Sequence, residues 1–359
     1  MPDSVDAMRW HIEEVDNQIL DMIGQRMRLA NKMGLYKAGR AAPVRNLRVE
    51  DQVIARYASR AKESGISEEA AAEIARLLIR ESVDAQMRIP KVKDPKRITI
   101  VGGSGKMGSW LSRFFAERGH KVMVHDIVSS TRFPFENDLR RAVAGADVVV
   151  LATPIGRTPE MLESVLALKP KALVFDVSSV KESVVPILKK AAAKKVRVSS
   201  VHPMFGPDTR LLLDKNLVIC DCGSDEGTKQ TKELFEGVGL NVRTIKVEKH
   251  DEIIAYVLGV SHAVNIAFFN ALVKSGHPYN ELKSFASTTF DRQENAAKGV
   301  AGENPELYYE IQHVNPHTQE VLDLLVESVE EVRKAATEPG GERFVEMMEA
   351  GRKYFGGIE

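Results

Sequence analysis

Five polar side chains near the start of the chain stand where a helical pattern calls for apolar ones. Ile12, Val15, Ile19, Met22, Leu29 and Met33 repeat at spacings of three and four, a heptad-like seam, and Arg26 fills the slot between Met22 and Leu29. Lys37 follows Arg26 by eleven residues, about three helical turns, so both cations share a face. Glu50 is in register with Ile54, Tyr57 and Ala61, and the spacing of Ile74 and Leu78 continues through Ser82 and Gln86. Leaving a buried charge unpaired costs about 3–5 kcal/mol, so Arg26 needs a counter-charge. Either Glu50 closes an inert ion pair with it, or the helices wall a polar cavity for a small dianion.

Two further sets of residues lie beyond residue 96. The run RITIVG leads into Gly103, Ser104, Gly105, Lys106, Met107 and Gly108, a G-x-G-x-x-G loop that opens a helix, and Asp126 ends the next strand. Strand, loop, helix and acid in that order form the dinucleotide fingerprint. Gly103 then permits the tight turn, Gly105 lets the backbone approach a pyrophosphate, and Gly108 allows close packing of helix on strand. The free N–H groups of the helix start face the phosphates. Asp126 accepts from ribose hydroxyls and repels a 2′-phosphate, which favours NAD, whereas Arg132 six residues later pulls towards NADP. Thr153 and Pro154 end another strand and lie along the cofactor. Later strands end in Asp176-Val177-Ser178-Ser179-Val180-Lys181 and in His202-Pro203-Met204-Phe205-Gly206-Pro207. A histidine at the carboxyl end of a parallel strand is placed to take a proton from an alcohol. Lys181 reads equally well as a plain cation at a helix start.

Three textures position these residues. Residues 1–90 are helical in pattern, 91–96 (KVKDPK) read as a linker, and 97–246 alternate β-branched runs with helices. The runs RITIVG, KVMVHD, ADVVVLA, ALVFDV, VRVSSV and NLVICD make that segment a Rossmann-type parallel α/β domain. Residues 247–359 return to amphipathic helices, and Val321, Leu324, Leu325, Val329 and Val332 form a stripe that suits either a core or a subunit interface. The expected architecture is therefore multidomain: all-α, then α/β, then all-α.

Composition narrows the function class. The 50 Lys+Arg cancel the 50 Asp+Glu, so no bulk charge draws the chain to nucleic acid or an anionic membrane. Apolar runs such as Ala146–Ala152 fall far short of the ~20 residues a membrane span needs. The first residues do not form a secretory signal, and Cys220 and Cys222 are too few for a disulfide framework or a closed zinc site, so no metal is expected. A cytoplasmic enzyme fits these limits.

The order Arg9, Arg26, Lys37, Glu50, Ser82, Gln86, with the flanks MRWHIEEVD, PVRN and ESVDAQ, resembles the all-helical chorismate mutases over about 90 residues. The resemblance implies that Arg9 and Arg26 bind the substrate carboxylates and that Lys37 and Gln86 donate to the ether oxygen. It gives Glu50 the ring hydroxyl, with Ser82 nearby, and has Arg9 reach a neighbouring protomer's cavity. Asn46 and Val49 depart from the family, which often has an Asp and a basic residue there.

From Arg97 onward the forms D-x-x-S-V-K and H-P-M-F-G-P, with KHDEIIAYVLGVSHAV and ENPELYYEI, resemble prephenate dehydrogenase. The resemblance implies a homodimer made by the C-terminal helices, His202 as base, Ser179 on the same hydroxyl or on His202, and His262 against substrate. The family's arginine for the substrate side-chain carboxylate falls at Gly299, leaving Lys298 or Arg292 as substitutes. Together the two resemblances imply an enzyme of tyrosine biosynthesis that turns chorismate into prephenate and prephenate, with NAD, into 4-hydroxyphenylpyruvate. The rivals are an arogenate dehydrogenase with a non-catalytic helical dimerisation or effector-binding module, and a generic 3-hydroxyacid dehydrogenase.

Overall fold

The structure, a computed structural model, describes residues 4–38, 40, 42, 44–89, 92–129 and 132–356. They form two compact units, residues 1–178 with 187–245 and residues 179–186 with 246–359.

The first unit opens with three helices, α1 (Val5–Ala38), α2 (Leu47–Ala61) and α3 (Glu68–Met87). The Asn46 side chain caps α2 by accepting from the Val49 N–H at 3.3 Å, and Ser67 caps α3 through the Ala70 N–H at 3.1 Å. This gives Asn46 a local reason for its place. α3 packs against both other helices and buries Ala71, Ala75, Leu78, Ile79 and Val83. α1 behaves otherwise: only Ala30 and Gly34 are buried, and Ile12, Val15, Ile19, Met22, Leu29 and Met33 are all at least half exposed. The seam legible in the sequence is thus a ridge that a single chain leaves uncovered.

The sheet has seven strands in the order β2-β1-β3-β4-β5-β6-β7. Chain order interleaves β1 (Arg97–Val101), α4 (Lys106–Glu117), β2 (Lys121–His125), α5 (Leu139–Val143), β3 (Val148–Leu151) and α6 (Thr158–Ala167). There follow β4 (Leu173–Asp176), α7 (Val185–Ala193), β5 (Val198–Pro203), β6 (Asn216–Asp221), α8 (Asp225–Phe235) and β7 (Asn241–Lys246). β1 to β5 pair in parallel and β6 runs antiparallel to β5. The central strands are buried throughout, as parallel strands covered on both faces should be. Trp110, Phe114 and Phe115 of α4 and Phe235 of α8 join the strand residues in one core. All six runs read from the sequence are strands. β7 was not among them because NVRTIK is an edge strand whose charges and partial burial hide the apolar signal.

The glycine loop departs from its expected division of labour. The left-handed residue is Gly102 (φ +81°), one position before the motif, whereas Gly103 is held by Val124, whose methyl group would meet an added Cβ at 2.7 Å. Gly108 keeps the expected role, because an added Cβ would overlap the Gly102 carbonyl.

The second unit contains α9 (His250–Ile254), a π-turn at Ala255–Val260, α10 (Ser261–Ser275), α11 (Tyr279–Ser284), α12 (Thr288–Ala301), α13 (Pro305–Val314), α14 (Thr318–Thr337) and α15 (Glu342–Tyr354). The continuous helical run Val247–Ser275 is long and apolar enough, by length and composition, to cross a membrane. Counting only uninterrupted apolar residues had put every segment far short of that length. Only 22% of its most apolar window is buried within the chain. On α14, Val321 enters the core while Leu324, Val329 and Val332 stay exposed.

Gly108→Ala should destabilise the sheet domain by about 1–3 kcal/mol through overpacking against rigid backbone. Urea denaturation will measure it, and an unchanged midpoint would contradict the packing described.

Candidate active sites

In the helical module the structure brings Arg26, Ser82 and Gln86 together. The Arg26 Nη1 donates to the Leu78 carbonyl at 2.7 Å and to the Ser82 hydroxyl. Ser82 in turn donates to the Leu78 carbonyl at 2.6 Å, and the Gln86 Nε2 donates to the Ser82 carbonyl at 3.1 Å. Ser82 and Gln86 are buried, and the Gln86 Oε1 is a buried acceptor without a donor among the described residues. An acceptor in that position costs about 1–3 kcal/mol. α1 and α3 touch where an added Cβ at Gly34 would meet Gln86 Cγ at 2.7 Å.

The remaining members of the set are held separately. The Lys37 ammonium donates to the Val44 carbonyl at 2.6 Å. Glu50 receives the Arg45 Nε at 3.1 Å on each oxygen, so it forms no pair with Arg26 and the inert Arg26–Glu50 bridge does not occur. Arg9 is exposed on α1 and pairs with Asp6 at 3.2 Å among the described residues. Sequence reasoning missed Arg45, although it lies within the PVRN flank.

The glycine loop sits between β1 and α4, where its geometry suits a phosphate. Gly105 caps α4 with no side chain, which leaves the first N–H groups of the helix open to a ligand. At the end of β2 the Asp126 carboxylate accepts from the Ser104 N–H at 2.9 Å and from the Ile127 N–H at 2.7 Å, which fixes loop and acid together. A cavity of about 350 Å³ beside the loop is lined by Ser104, Lys106, Arg113, Arg132 and Phe133, among others. Met107 packs against the core. Thr153 hydrogen-bonds Thr158 at 2.9 Å, and the Pro154 carbonyl accepts from the Thr158 N–H at 3.0 Å, so this pair shapes the start of α6.

At the ends of β4 and β5, Asp176 is wholly buried and accepts from the Ser178 N–H at 2.9 Å, the Ser178 hydroxyl at 2.5 Å and the Ser200 hydroxyl at 2.5 Å. Ser200 lies opposite Asp176 in the parallel register, and His202, also buried, shares its face two residues on. Ser179 begins the segment 179–186, which belongs to the second unit. In that unit the Asp251 carboxylate accepts from the Lys181 N–H at 2.9 Å and the Glu182 N–H at 2.7 Å, and lies 2.7 Å from His250 Nδ1. Lys181 is fully buried, four residues before α7 begins.

His262 on α10 is buried and stacks on Tyr308, with ring centroids 4.2 Å apart. Burial pushes its pKa below the usual imidazole value, and its Nδ1 is buried without a partner among the described residues. The Lys298 ammonium lies 2.5 Å from the Glu294 carboxylate and 2.7 Å from the Tyr279 hydroxyl. Lys283, Lys298 and Tyr279 together hold the Glu294 carboxyl down to about 2. Lys298 is thus paired with Glu294 although its side chain stays exposed, Arg292 is exposed as well, and a side chain at Gly299 would enter open space.

Comparison with known proteins divides the chain in the same order. Chorismate mutase type II matches residues 8–87, the nucleotide-binding domain of prephenate dehydrogenase matches 128–244, and its dimerization domain matches 246–350. The chain joins a type II chorismate mutase domain to the nucleotide-binding and dimerization domains of prephenate dehydrogenase. The glycine loop precedes the middle match, so its place in the nucleotide-binding domain rests on the β1-α4-β2 geometry. Among relatives, the T-protein of Haemophilus influenzae is 26% identical over 97% of this chain and 92% of its own. A probable arogenate/prephenate dehydrogenase of Methanocaldococcus jannaschii is 27% identical over 72% of this chain, which spans 61% of that protein. Two solved folds agree at TM-score 0.61. A putative prephenate dehydrogenase of Corynebacterium glutamicum is 22% identical and covers 73% of this chain and 88% of its own. A prephenate dehydrogenase of A. aeolicus in complex with hydroxyphenyl propionate and NAD+ is 20% identical and covers 74% and 99%.

Because the folded pKa of His262 is depressed, the unfolded chain binds more protons at that position. Its contribution to stability is present above the unfolded value near ~6.5 and is lost as pH falls below it. His262→Phe, which keeps the stack on Tyr308, should flatten the dependence of unfolding free energy on pH between about 7 and 5. Denaturant titrations at several pH values will test this, and an unaltered slope would remove His262 from the account.

Proposed function

We propose that the chain catalyses two consecutive reactions of tyrosine biosynthesis, converting chorismate to prephenate and prephenate to 4-hydroxyphenylpyruvate. The observation that carries this reading is the presence of both family domains in one chain, with the product of the first reaction serving as substrate of the second. The proposed setting is the cytoplasm and the proposed assembly a homodimer. The uncovered ridge of α1 and the match to a dimerization domain support the dimer.

The first reaction is a unimolecular rearrangement that needs no covalent catalyst. Negative charge develops on the ether oxygen as its bond to carbon breaks, and fixed donors stabilise it more in the transition state than in the ground state. Gln86 and Lys37 are proposed as those donors. Arg26 and the partner's Arg9 would hold the two carboxylates, and Glu50 the ring hydroxyl, with Ser82 keeping Arg26 in place.

For the second reaction the residues around the glycine loop fit NAD: an open helix start, the Gly102–Gly108 approach, and Asp126 fixed at the end of β2. When bound, NAD accepts the hydride from C4 of the ring. His202 is proposed to take the proton of the 4-hydroxyl, while aromatisation expels the ring carboxylate as carbon dioxide. Ser179 and His262 are proposed as substrate contacts, and Arg292 as the remaining cation for the side-chain carboxylate. Gly103, Ser104, Gly105, Lys106, Met107, Thr153 and Pro154 are proposed to line the cofactor.

With chorismate and NAD supplied, the protein should form reduced cofactor, carbon dioxide and 4-hydroxyphenylpyruvate. Gln86→Ala should abolish the signal from chorismate and spare that from prephenate. His202→Asn should lower hydride transfer by about 10²–10⁴-fold with NAD binding retained. Oxidation of arogenate in preference to prephenate, or a parent protein inert towards chorismate, would refute the assignment.

A further inference from the structure

The loop that follows His202 reaches the helical module, within the first compact unit, and carries more than packing. Leu213 is buried against Val44, Ile79 and Val83 of the module, and the Arg88 Nη2 donates to the Arg210 carbonyl at 3.1 Å. Asp214 sits at φ +61°, its N–H donating to the Gly239 carbonyl at 3.0 Å, so its position is set by the sheet domain. The Asp214 carboxylate then accepts from the Arg45 Nη1 at 2.7 Å, while the Arg45 Nε faces both oxygens of Glu50 at 3.1 Å. The three side chains form a line from the nucleotide-binding domain to a residue of the mutase set.

We propose that Arg45 is a positioning residue for the Glu50 carboxylate and that Asp214, supplied by the dehydrogenase domain, sets Arg45, so that the mutase pocket is completed by the other enzyme's loop. The proposal rests on the reading of Glu50 as the acceptor for the substrate's ring hydroxyl. A guanidinium facing one carboxylate alone tends to close a two-point fork and occupy its lone pairs. Asp214 holds one arm of Arg45 away, so Glu50 is aimed by a single N–H and keeps acceptor capacity for a hydroxyl. Neither Arg45 nor Asp214 touches the substrate in this scheme. Both act through Glu50.

The test uses the full-length chain and steady-state kinetics with chorismate, with oxidation of supplied prephenate as the control for folding. Asp214→Asn retains the left-handed backbone, which Asn tolerates. It keeps an acceptor for the guanidinium but removes the charge of a partly exposed pair, and should raise KM for chorismate about three- to fivefold, with kcat and prephenate oxidation within about twofold. Arg45→Met should raise KM further and Arg45→Lys should recover part of it. In the Arg45→Met background, Asp214→Asn should have no added effect, since it acts through the missing side chain. Additive effects, or an unchanged KM in both single variants while Glu50→Gln raises it, would overturn the proposal and leave the mutase site standing. An unchanged KM in Glu50→Gln would overturn both.

Discussion

A carboxylate removed from solvent must be met by donors, because burial without them costs several kcal/mol or forces a proton onto the group. Asp176 is in that position at the end of β4, and its donors are the backbone and hydroxyl of Ser178 and the hydroxyl of Ser200 on β5. The first pair turns the chain as it leaves β4, and the third locks β4 to β5 at the register that places His202 on the same face. A second aspartate performs the equivalent task in the other unit. Asp251 gathers the backbone of Lys181 and Glu182, and the Asn315 side chain secures its carbonyl at 2.9 Å. Two buried acids thus order the chain next to residues proposed for the dehydrogenase site.

The features legible in the sequence are those written in local pattern. Six strands announced themselves by continuous β-branched runs, and the glycine loop by its place between a strand and a helix. Arg26, Ser82 and Gln86 were conspicuous because each breaks an apolar periodicity, and the structure joins them through the Leu78 and Ser82 carbonyls. What escaped notice depends on distant partners. The Lys181 backbone N–H is bound by Asp251, seventy residues away, and the pairing of Lys298 follows from Glu294, Lys283 and Tyr279. Gly102 was overlooked because the motif directs attention to Gly103, although the backbone turn falls one residue earlier.

The same contrast separates the two faces of the helical module. α3 finds its core within the chain, down to the contribution of Leu213 from the sheet domain. α1 does not, and its long row of apolar side chains stays exposed on the chain. An apolar ridge of that length is consistent with the proposed dimer. Charge placement follows the division: Arg26 points into the chain's own polar cluster, and Arg9 lies exposed on the uncovered helix.

The π-turn at Ala255–Val260 sets the phase of the long helix in the second unit. One residue inserted into an α-helix rotates everything beyond it by about 100° relative to an uninterrupted spiral. The stretch before the insertion aims Asp251 at the 179–186 segment, and the stretch after it aims His262 at Tyr308. The Gln312 side chain donates to the Gly259 carbonyl at 2.9 Å, so the widened turn is anchored from outside. The two contacts, one before the widened turn and one after it, thus lie on a helix whose phase a single surplus residue has shifted. Trimming it would leave length and hydropathy almost untouched while swinging the imidazole off its aromatic neighbour.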